Sequence, residues 1–455
     1  MDSILSTQVG RIEKTGSIVQ HGYDAKDVLL ENLHVGKDAP DVLSRKWYSR
    51  AALTCLHRGA ALEQLLELRQ RSGDQVPLDR ALGLFDLFII QDGKGDFRDI
   101  SARLDEVADD FRLLHPEWME MNGRERGIAV AGFLLAQGLG GIQGDGDAHY
   151  HDLRNNFLGM ALRNDQPSGE SLDGRGLADA SARDRMYMDP FRSANEVRVE
   201  TLVAQLTRMG VSQVEQDRLL DVAPTTEIVS RCARNIIRSF QTLPRHSMVG
   251  DDSPSMDAAL YGALWTLLLL AGDEEGHSAE YHPLRYFPVV LKQVQAYFPN
   301  DVHFVEKLCN ASIGDFDPGD LDLVNTVRSR DNLPRPVKAR GSASRSNVRF
   351  RIGQIFRHKR YQYHAIITGW DTECSASEQW MTEMRIHELP RGKSQSFYHV
   401  LAEDKSTRYV AEENIEIVQG EPVPALLTIA GQYFKRWDND AKSFVSNIRD
   451  EYPDD

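Results

Sequence analysis

A chain of 455 residues that is 41% hydrophobic and 27% charged has an ordinary globular composition and the length of two to four domains of roughly 100 to 200 residues each. Its formal net charge of −15 excludes nonspecific nucleic-acid binding by the surface as a whole, because a phosphate backbone repels it. Four widely spaced cysteines, Cys55, Cys232, Cys309 and Cys374, form no CxxC pair, so they indicate neither a disulfide scaffold nor a zinc ribbon and read as free thiols in a reducing compartment.

The amino terminus, Met1-Asp2-Ser3-Ile4-Leu5-Ser6, lacks the basic and then apolar pattern of a secretory signal. Residues 1–120 read as a helical region. Val42 to Leu68 carries Leu43, Trp47, Ala51 and Leu56 on one side after an Ala39-Pro40-Asp41 start, and Val76 to Ile90 supplies a further helix. In Asp99 to Leu114, Ile100, Leu104, Val107, Ala108 and Phe111 share a face, with Asp99 as N-cap and His115-Pro116 as terminator. Ile128 to Ala136 is helical and ends in the glycine-rich run Gly138 to Asp147. That run has no Lys and Ser/Thr after it, as a phosphate loop requires, and reads as a helix C-cap and loop. Asp145, Asp147, His149 and His151 alternate as metal ligands would, but no second ligand cluster completes a site.

Residues 164–185 are polar and turn-forming, a surface loop or disordered insertion. Helical spacing resumes over 196–327, in Asn195 to Arg208, Thr225 to Phe240, Ser255 to Leu270, His282 to Tyr297 and Asp301 to Leu308, an order that suits an α-solenoid. The longest apolar run, Ala263 to Ala271, broken only by Thr266, falls short of the roughly 20 residues a membrane span needs. An intracellular protein of the nucleus or cytoplasm is expected. Residues 328–347, rich in Arg, Ser and Pro, read as a basic linker.

Beyond the linker the period changes to two. Val348, Phe350 and Ile352 alternate with Arg349, Arg351 and Gly353, as in a half-buried strand, and Tyr363 to Trp370, Ser396 to Glu403 and Arg408 to Ala411 supply more strands around a helical or irregular insertion, Ser375 to Glu388. Pro424 to Tyr452, within a terminal segment 421–455, is expected to pack as a short helix anchored by Tyr433, Phe434 and Trp437.

Certain landmarks stand in order over this stretch: Arg349-Phe350-Arg351-Ile352-Gly353-Gln354, Gly369-Trp370-Asp371, Leu389-Pro390-Arg391-Gly392, Phe397-Tyr398-His399-Val400 and Tyr409-Val410-Ala411-Glu412-Glu413-Asn414. They resemble the YccV/HspQ-like hemimethylated-DNA-binding domain, found alone in bacteria and as a C-terminal module of some eukaryotic F-box proteins. The resemblance implies a small SH3-like β-barrel over 348–420. A second resemblance lies in Tyr150-His151-Asp152-Leu153-Arg154-Asn155-Asn156-Phe157-Leu158 and Met186-Tyr187-Met188-Asp189-Pro190-Phe191, which look like parts of the transglutaminase-like domain of those F-box proteins. It covers 121–195 only partially, the central helix and histidine strand being replaced by the polar loop.

Transglutaminase-type catalysis needs a Cys nucleophile, a His base and an orienting Asp. Asp189 matches the third by position, but no Cys lies between Cys55 and Cys232 and no His between His151 and His246, so no enzyme is expected. Cys55 and His57 read as packing and surface residues of a helix. An F-box opens with a Leu-Pro pair, which Met1 to Gly36 lacks; direct membership of a ubiquitin ligase is therefore not expected.

Charge locates the implied DNA contacts. Eleven basic residues and one acid fall between Arg328 and Arg360, a net +10 that leaves −25 for the remainder, whereas residues 345–418 hold eleven basic residues against ten acids. Arg neutralises phosphates and also reads guanine edges. Arg357-His358-Lys359-Arg360-Tyr361 reads as a phosphate-contacting loop. The expected DNA-binding residues are Arg349, Arg351, Arg357, Lys359 and Arg360, with Arg391 and Lys393 as a second contact; Trp370, Phe397 and Tyr398 are expected in the core, and Glu412 and Glu413 on an acidic far side. The reading is a multidomain α+β protein, non-enzymatic and without cofactor or metal: a mostly α-helical body with a degenerate transglutaminase-like region, then the barrel, with DNA as partner. The alternative is a protein-interaction or substrate-recognition module related to F-box ubiquitin-ligase receptors, with ligase components or substrates as partners.

Overall fold

A computed structural model describes residues 18–70, 77–90, 97–138, 156–162, 186–188, 193–242, 255–270, 283–310, 336–340 and 348–455, with scattered positions between 319 and 329. The polar loop 164–185, the candidate metal ligands Asp145 to His151, and Asp189 lie outside them. The chain divides into two compact units, Met1–Gly22 with Thr54–Asp331, and Tyr23–Leu53 with Asn332–Asp455. It is a multidomain α+β protein, mostly helical, with a five-stranded antiparallel sheet near its C-terminus.

Among the described residues the regular elements of the first unit are helices and one two-residue hairpin, β1 (Tyr187–Met188) with β2 (Glu196–Val197). The helix expected from Asn195 begins after this hairpin, at Val199. Its core is built around Met256–Leu270, which is apolar on all sides and therefore buried on all sides. The hydroxyl of Thr266, the one polar side chain in the middle of that run, donates to the Gly262 carbonyl at 2.9 Å and so stays satisfied without water. This helix packs against Thr225–Thr242, whose Val229, Ala233 and Ile236 form one fully buried stripe, and against Phe287–Ala296. It also packs on Leu78–Ile89, from the distant first quarter of the chain. In an α-solenoid each repeat would stack on its neighbours alone, whereas this helix also meets Leu78–Ile89, far outside 196–327. Phe97–Leu114 starts two residues before Asp99, which therefore lies in the first helical turn and is not the N-cap. Gly123–Ala136 starts earlier than its apolar spacing suggests because Asn122 and Glu125 make a capping box: Asn122 Oδ1 accepts from the Glu125 N–H at 3.0 Å and Glu125 Oε2 from the Asn122 N–H at 2.9 Å. No helix among the described residues is long and apolar enough to cross a membrane.

In the second unit β3 (Ile355–His358), β4 (His364–Asp371), β5 (Phe397–Ala402), β6 (Thr407–Ala411) and β7 (Ile415–Ile417) form one antiparallel sheet in the order β6-β5-β4-β3-β7. Trp370, Phe397 and Tyr398 are buried as expected. The segment 348–352 has the expected alternation, with Val348, Phe350 and Ile352 buried and Arg349 and Arg351 exposed, yet it is not a strand. Its N–H groups go to side chains instead: those of Arg349 and Phe350 both donate to the Tyr398 hydroxyl at 3.1 Å. Ser375 to Glu388 folds as a short helix, Glu378–Glu383, capped by Ser377, and a 3-10 turn.

Three features of this unit depart from the sequence-based expectations. The terminal segment is not simply a helix: Pro424–Ile429 is, but Phe434 and Trp437 belong to a hairpin, β8 (Phe434–Asp438) with β9 (Ser443–Ser446). Residues 23–53 join the sheet rather than the N-terminal helices. Helix Val42–Gln70 brings Leu43 into the sheet's core cluster, and its Leu43 carbonyl and Trp47 lie so close to Gly431 that a Cβ there would sit 2.2 and 2.5 Å from them. Finally, residues 336–340 of the expected linker are strapped down. Lys338 Nζ donates to the Trp370 carbonyl at 3.1 Å and to Asp371 at 2.8 Å, and Arg340 pairs at 2.7 Å with the fully buried Asp455 carboxylate while donating to the Val348 and Phe350 carbonyls.

Candidate nucleic-acid interface

The seven expected DNA-contacting cations all reach the surface, but the fold leaves them unequally free. Arg349 and Arg351 project from the same side of the extended lead into β3, because the residues between and beside them fill the core. Neither has a carboxylate partner among the described residues; Arg349 lies over the Phe350 ring, 5.2 Å from its centroid. Arg360, in the turn after β3, likewise has none and rests 5.3 Å from the Tyr361 ring centroid.

The other four are engaged. Arg357 pairs with Glu416 across the β3–β7 ladder at 2.8 Å, and Lys359 Nζ donates to the Glu413 carbonyl at 2.6 Å. Both contacts are exposed, and exposed pairs contribute only about 0–1 kcal/mol, so phosphates can compete for these cations. Lys393 pairs with the exposed Glu378 at 3.2 Å. Arg391 differs in kind: it donates at 2.8 Å to Glu412, a buried carboxylate that in turn accepts the Tyr398 hydroxyl proton at 3.0 Å. Since Tyr398 receives the Arg349 and Phe350 N–H groups, Arg391 helps hold the backbone that presents Arg349. Glu412 is thus a buried hub and not part of an acidic far side.

His358, read as part of the phosphate-contacting loop, is buried, and its Nδ1 accepts the N–H groups of Arg360 at 3.2 Å and Tyr361 at 3.1 Å. Burial, reinforced by Arg408 and Arg360, lowers its pKa. A neutral His358 shapes the turn that carries Arg360.

A further cluster escaped sequence reasoning because its members come from four separate stretches. Asp371, at the end of β4, accepts from Tyr409 at 2.7 Å, Ser375 and Lys338 at 2.8 Å and His399 at 3.2 Å. Burial opposes its charge, but the hydrogen bonds from His399, Lys338, Tyr409 and Ser375 outweigh it and hold the carboxyl well below the usual range. A folded-state pKa below the unfolded value of about 3.9 gives stability that is present above that value and lost as the pH falls through the folded one. Asp371→Asn should therefore flatten the acid limb of stability measured by urea unfolding between about pH 5 and pH 2; an unchanged limb would assign it to other carboxylates.

In the first unit, Cys55 Sγ stands 4.0 Å from His303 Nε2. Burial, with Asp301 adding to it, pushes the thiol up to about 12, so it is protonated at neutral pH and a poor nucleophile. His57 is buried, not on the surface.

Residues 348–441 match the family described as hemimethylated DNA-binding protein YccV like, and so make up a YccV-like domain. The chain also has similarity to F-box only protein 21: 31% identity over 211 residues to that of Pongo abelii, covering 41% of this chain and 34% of the relative, and 27% over 277 residues to that of Homo sapiens, covering 60% and 42%. The Mus musculus protein of the same name is 26% identical over 277 residues. The chain therefore spans between a third and about two-fifths of the length of these curated relatives. No solved structure matches it.

Proposed function

We propose that the C-terminal unit binds duplex DNA through phosphate contacts, with Arg349, Arg351 and Arg360 as the primary cations and Arg357 and Lys359 recruited from their exposed partners. The match of residues 348–441 to the YccV-like family supports this reading more than any other observation. Arg391 acts as a positioning residue through Glu412 and Tyr398, and Lys393 contributes little. No catalytic step is assigned to the chain.

The test is fluorescence anisotropy of the full chain with a short labelled duplex at about 50 mM salt. The variant carrying Arg349→Gln, Arg351→Gln and Arg360→Gln should bind at least about tenfold more weakly, whereas Lys393→Gln should stay within about threefold. Because the contacts are to phosphates, which carry no sequence information, hemimethylated, fully methylated and unmethylated duplexes should bind alike. An unaltered affinity in the triple variant would remove these residues from the interface.

Protein recognition is a second reading, favoured by the similarity to F-box only protein 21 over up to 60% of the chain. Under it the same unit would receive a protein segment, and ubiquitin-ligase components or substrates are the partners proposed.

A further inference from the structure

Among the described residues strand β6 ends the sheet: it pairs with β5 on one side and with no strand on the other. The hydrogen bonds Ala402 N–H to Ser406 at 2.9 Å and Glu412 N–H to Ser396 at 3.0 Å fix which rungs of the β5–β6 ladder are bonded. In an antiparallel pair bonded and non-bonded rungs alternate. Tyr398/Val410 and Val400/Arg408 are therefore bonded rungs, while Leu401/Thr407 and His399/Tyr409 are not. The N–H and C=O groups of Thr407 and Tyr409 accordingly point away from the sheet, and no backbone partner holds them among the described residues.

That edge is not bare surface. All five residues of β6 line a groove of about 1210 Å³. One wall is apolar and comes from the insertion after β4: Trp380, Met384, Ile386 and Leu389, of which Met384 is 59% exposed. Arg360 and Tyr361 also line it, the latter 64% exposed. Of the cations in the walls, Lys338, Arg391 and Arg408 are each paired to a carboxylate, Asp371, Glu412 and Asp404 respectively; Arg360 is the one without such a partner among the described residues. An unpaired strand edge offers hydrogen bonds at the spacing of an extended polypeptide, which a duplex cannot match, and neighbouring pockets select alternate side chains.

We propose that the β6 groove binds an extended peptide segment of a partner protein by strand addition, with an apolar side chain against Trp380 and Met384 and an acidic one against Arg360. The proposal rests on the protein-recognition reading; it shares Arg360 with the proposed DNA contacts and needs none of the others. It also accounts for an edge flanked by apolar surface, a combination that otherwise invites aggregation.

The experiment uses the full chain and a fluorescent peptide in which glutamate alternates with valine and threonine. Saturable binding is expected, with a loss of at least about tenfold when alternate amides of the peptide are N-methylated, since this removes strand pairing without altering the protein. Thr407→Pro, which deletes one outward N–H and leaves the β5 rungs intact, should give a similar loss while duplex binding is kept. Arg360→Gln should weaken the glutamate peptide several-fold but not its glutamine counterpart. Equal binding of the methylated and unmethylated peptides would overturn strand addition while leaving peptide recognition standing. Absence of binding to any of these peptides, or a dimer in sedimentation that Thr407→Pro dissolves, would overturn the proposed occupant.

Discussion

Gly353→Ala should lower the unfolding midpoint of the C-terminal unit by roughly 10 °C or more, corresponding to about 3 kcal/mol. Gly353 has φ +88, a left-handed conformation that a Cβ disfavours. Space is the greater problem: a Cβ would stand 2.1 Å from the Phe444 carbonyl oxygen and 3.0 Å from its carbon, backbone atoms that cannot swing aside. Gly353 donates to the Ile367 carbonyl at 2.9 Å and accepts the Phe444 N–H at 2.9 Å, so it ties β9 to β4. Moving β9 away would expose Phe444, which is buried against Phe434 and Trp437. Gly392 is the control. Its φ is +53, but nothing lies within 4 Å of a Cβ, so Gly392→Ala should cost only the backbone strain of about 1 kcal/mol. Equal midpoints for the two variants in thermal unfolding followed by tryptophan fluorescence would count against the close approach at Phe444.

The helical unit has its own sensitive point in Arg58→Met, expected to destabilise it by about 3–5 kcal/mol. Arg58 Nε lies 2.6 Å from Asp301 Oδ2 and its Nη2 donates to Oδ1 at 3.0 Å, with the Asp301 side chain wholly shielded from solvent. The guanidinium also covers the Phe298 ring at 5.1 Å. Burial pushes the Asp301 carboxyl up, and Arg58 is the main influence drawing it back down. Without Arg58 the folded state binds a proton still more tightly than the unfolded state. A raised folded-state pKa gives stability that is fully present below the unfolded value and lost as the pH rises through the folded one. The variant should therefore recover part of its loss on acidification from about pH 7 to about pH 5. Arg58→Met combined with Asp301→Leu should be more stable than Arg58→Met alone, because no buried charge is left unpaired. A cost below about 1 kcal/mol in urea unfolding would show that water reaches Asp301.

Local pattern carried the helices and most of the sheet. The apolar spacing of Thr225 to Phe240 and the all-apolar run after Ser255 mark their helices because the information lies within one element. β7 was missed since Ile415-Glu416-Ile417 is too short to show a period; only its ladder to β3 defines it. The β8–β9 hairpin was missed for a related reason: its anchors Phe434 and Trp437 also suit a helix face. Nothing in residues 23–53 announces that Leu43 and Trp47 meet Gly431, a contact formed across most of the chain. The DNA-binding candidates show the same limit. Counting charges picked out seven cations that do reach the surface, but not that Glu416, Glu412 and Glu378 would fold back onto Arg357, Arg391 and Lys393. Tertiary pairing thus reduces seven nominal contacts to three uncommitted cations and two, Arg357 and Lys359, that phosphate can recruit from exposed partners.

That reduction is open to direct measurement. Each phosphate contact released by salt contributes about −0.9 to the slope of log affinity against log salt for duplex DNA. Arg349, Arg351 and Arg360 with the recruited Arg357 and Lys359 give a slope of about −4.5, so the affinity of the full chain for a short duplex should fall by about five-hundredfold between about 50 and 200 mM salt. A slope near −6 would mean that all seven cations are released to phosphate, contradicting the engaged state of Arg391 and Lys393. No binding at about 50 mM salt, or a slope near zero, would contradict the electrostatic DNA-binding account itself.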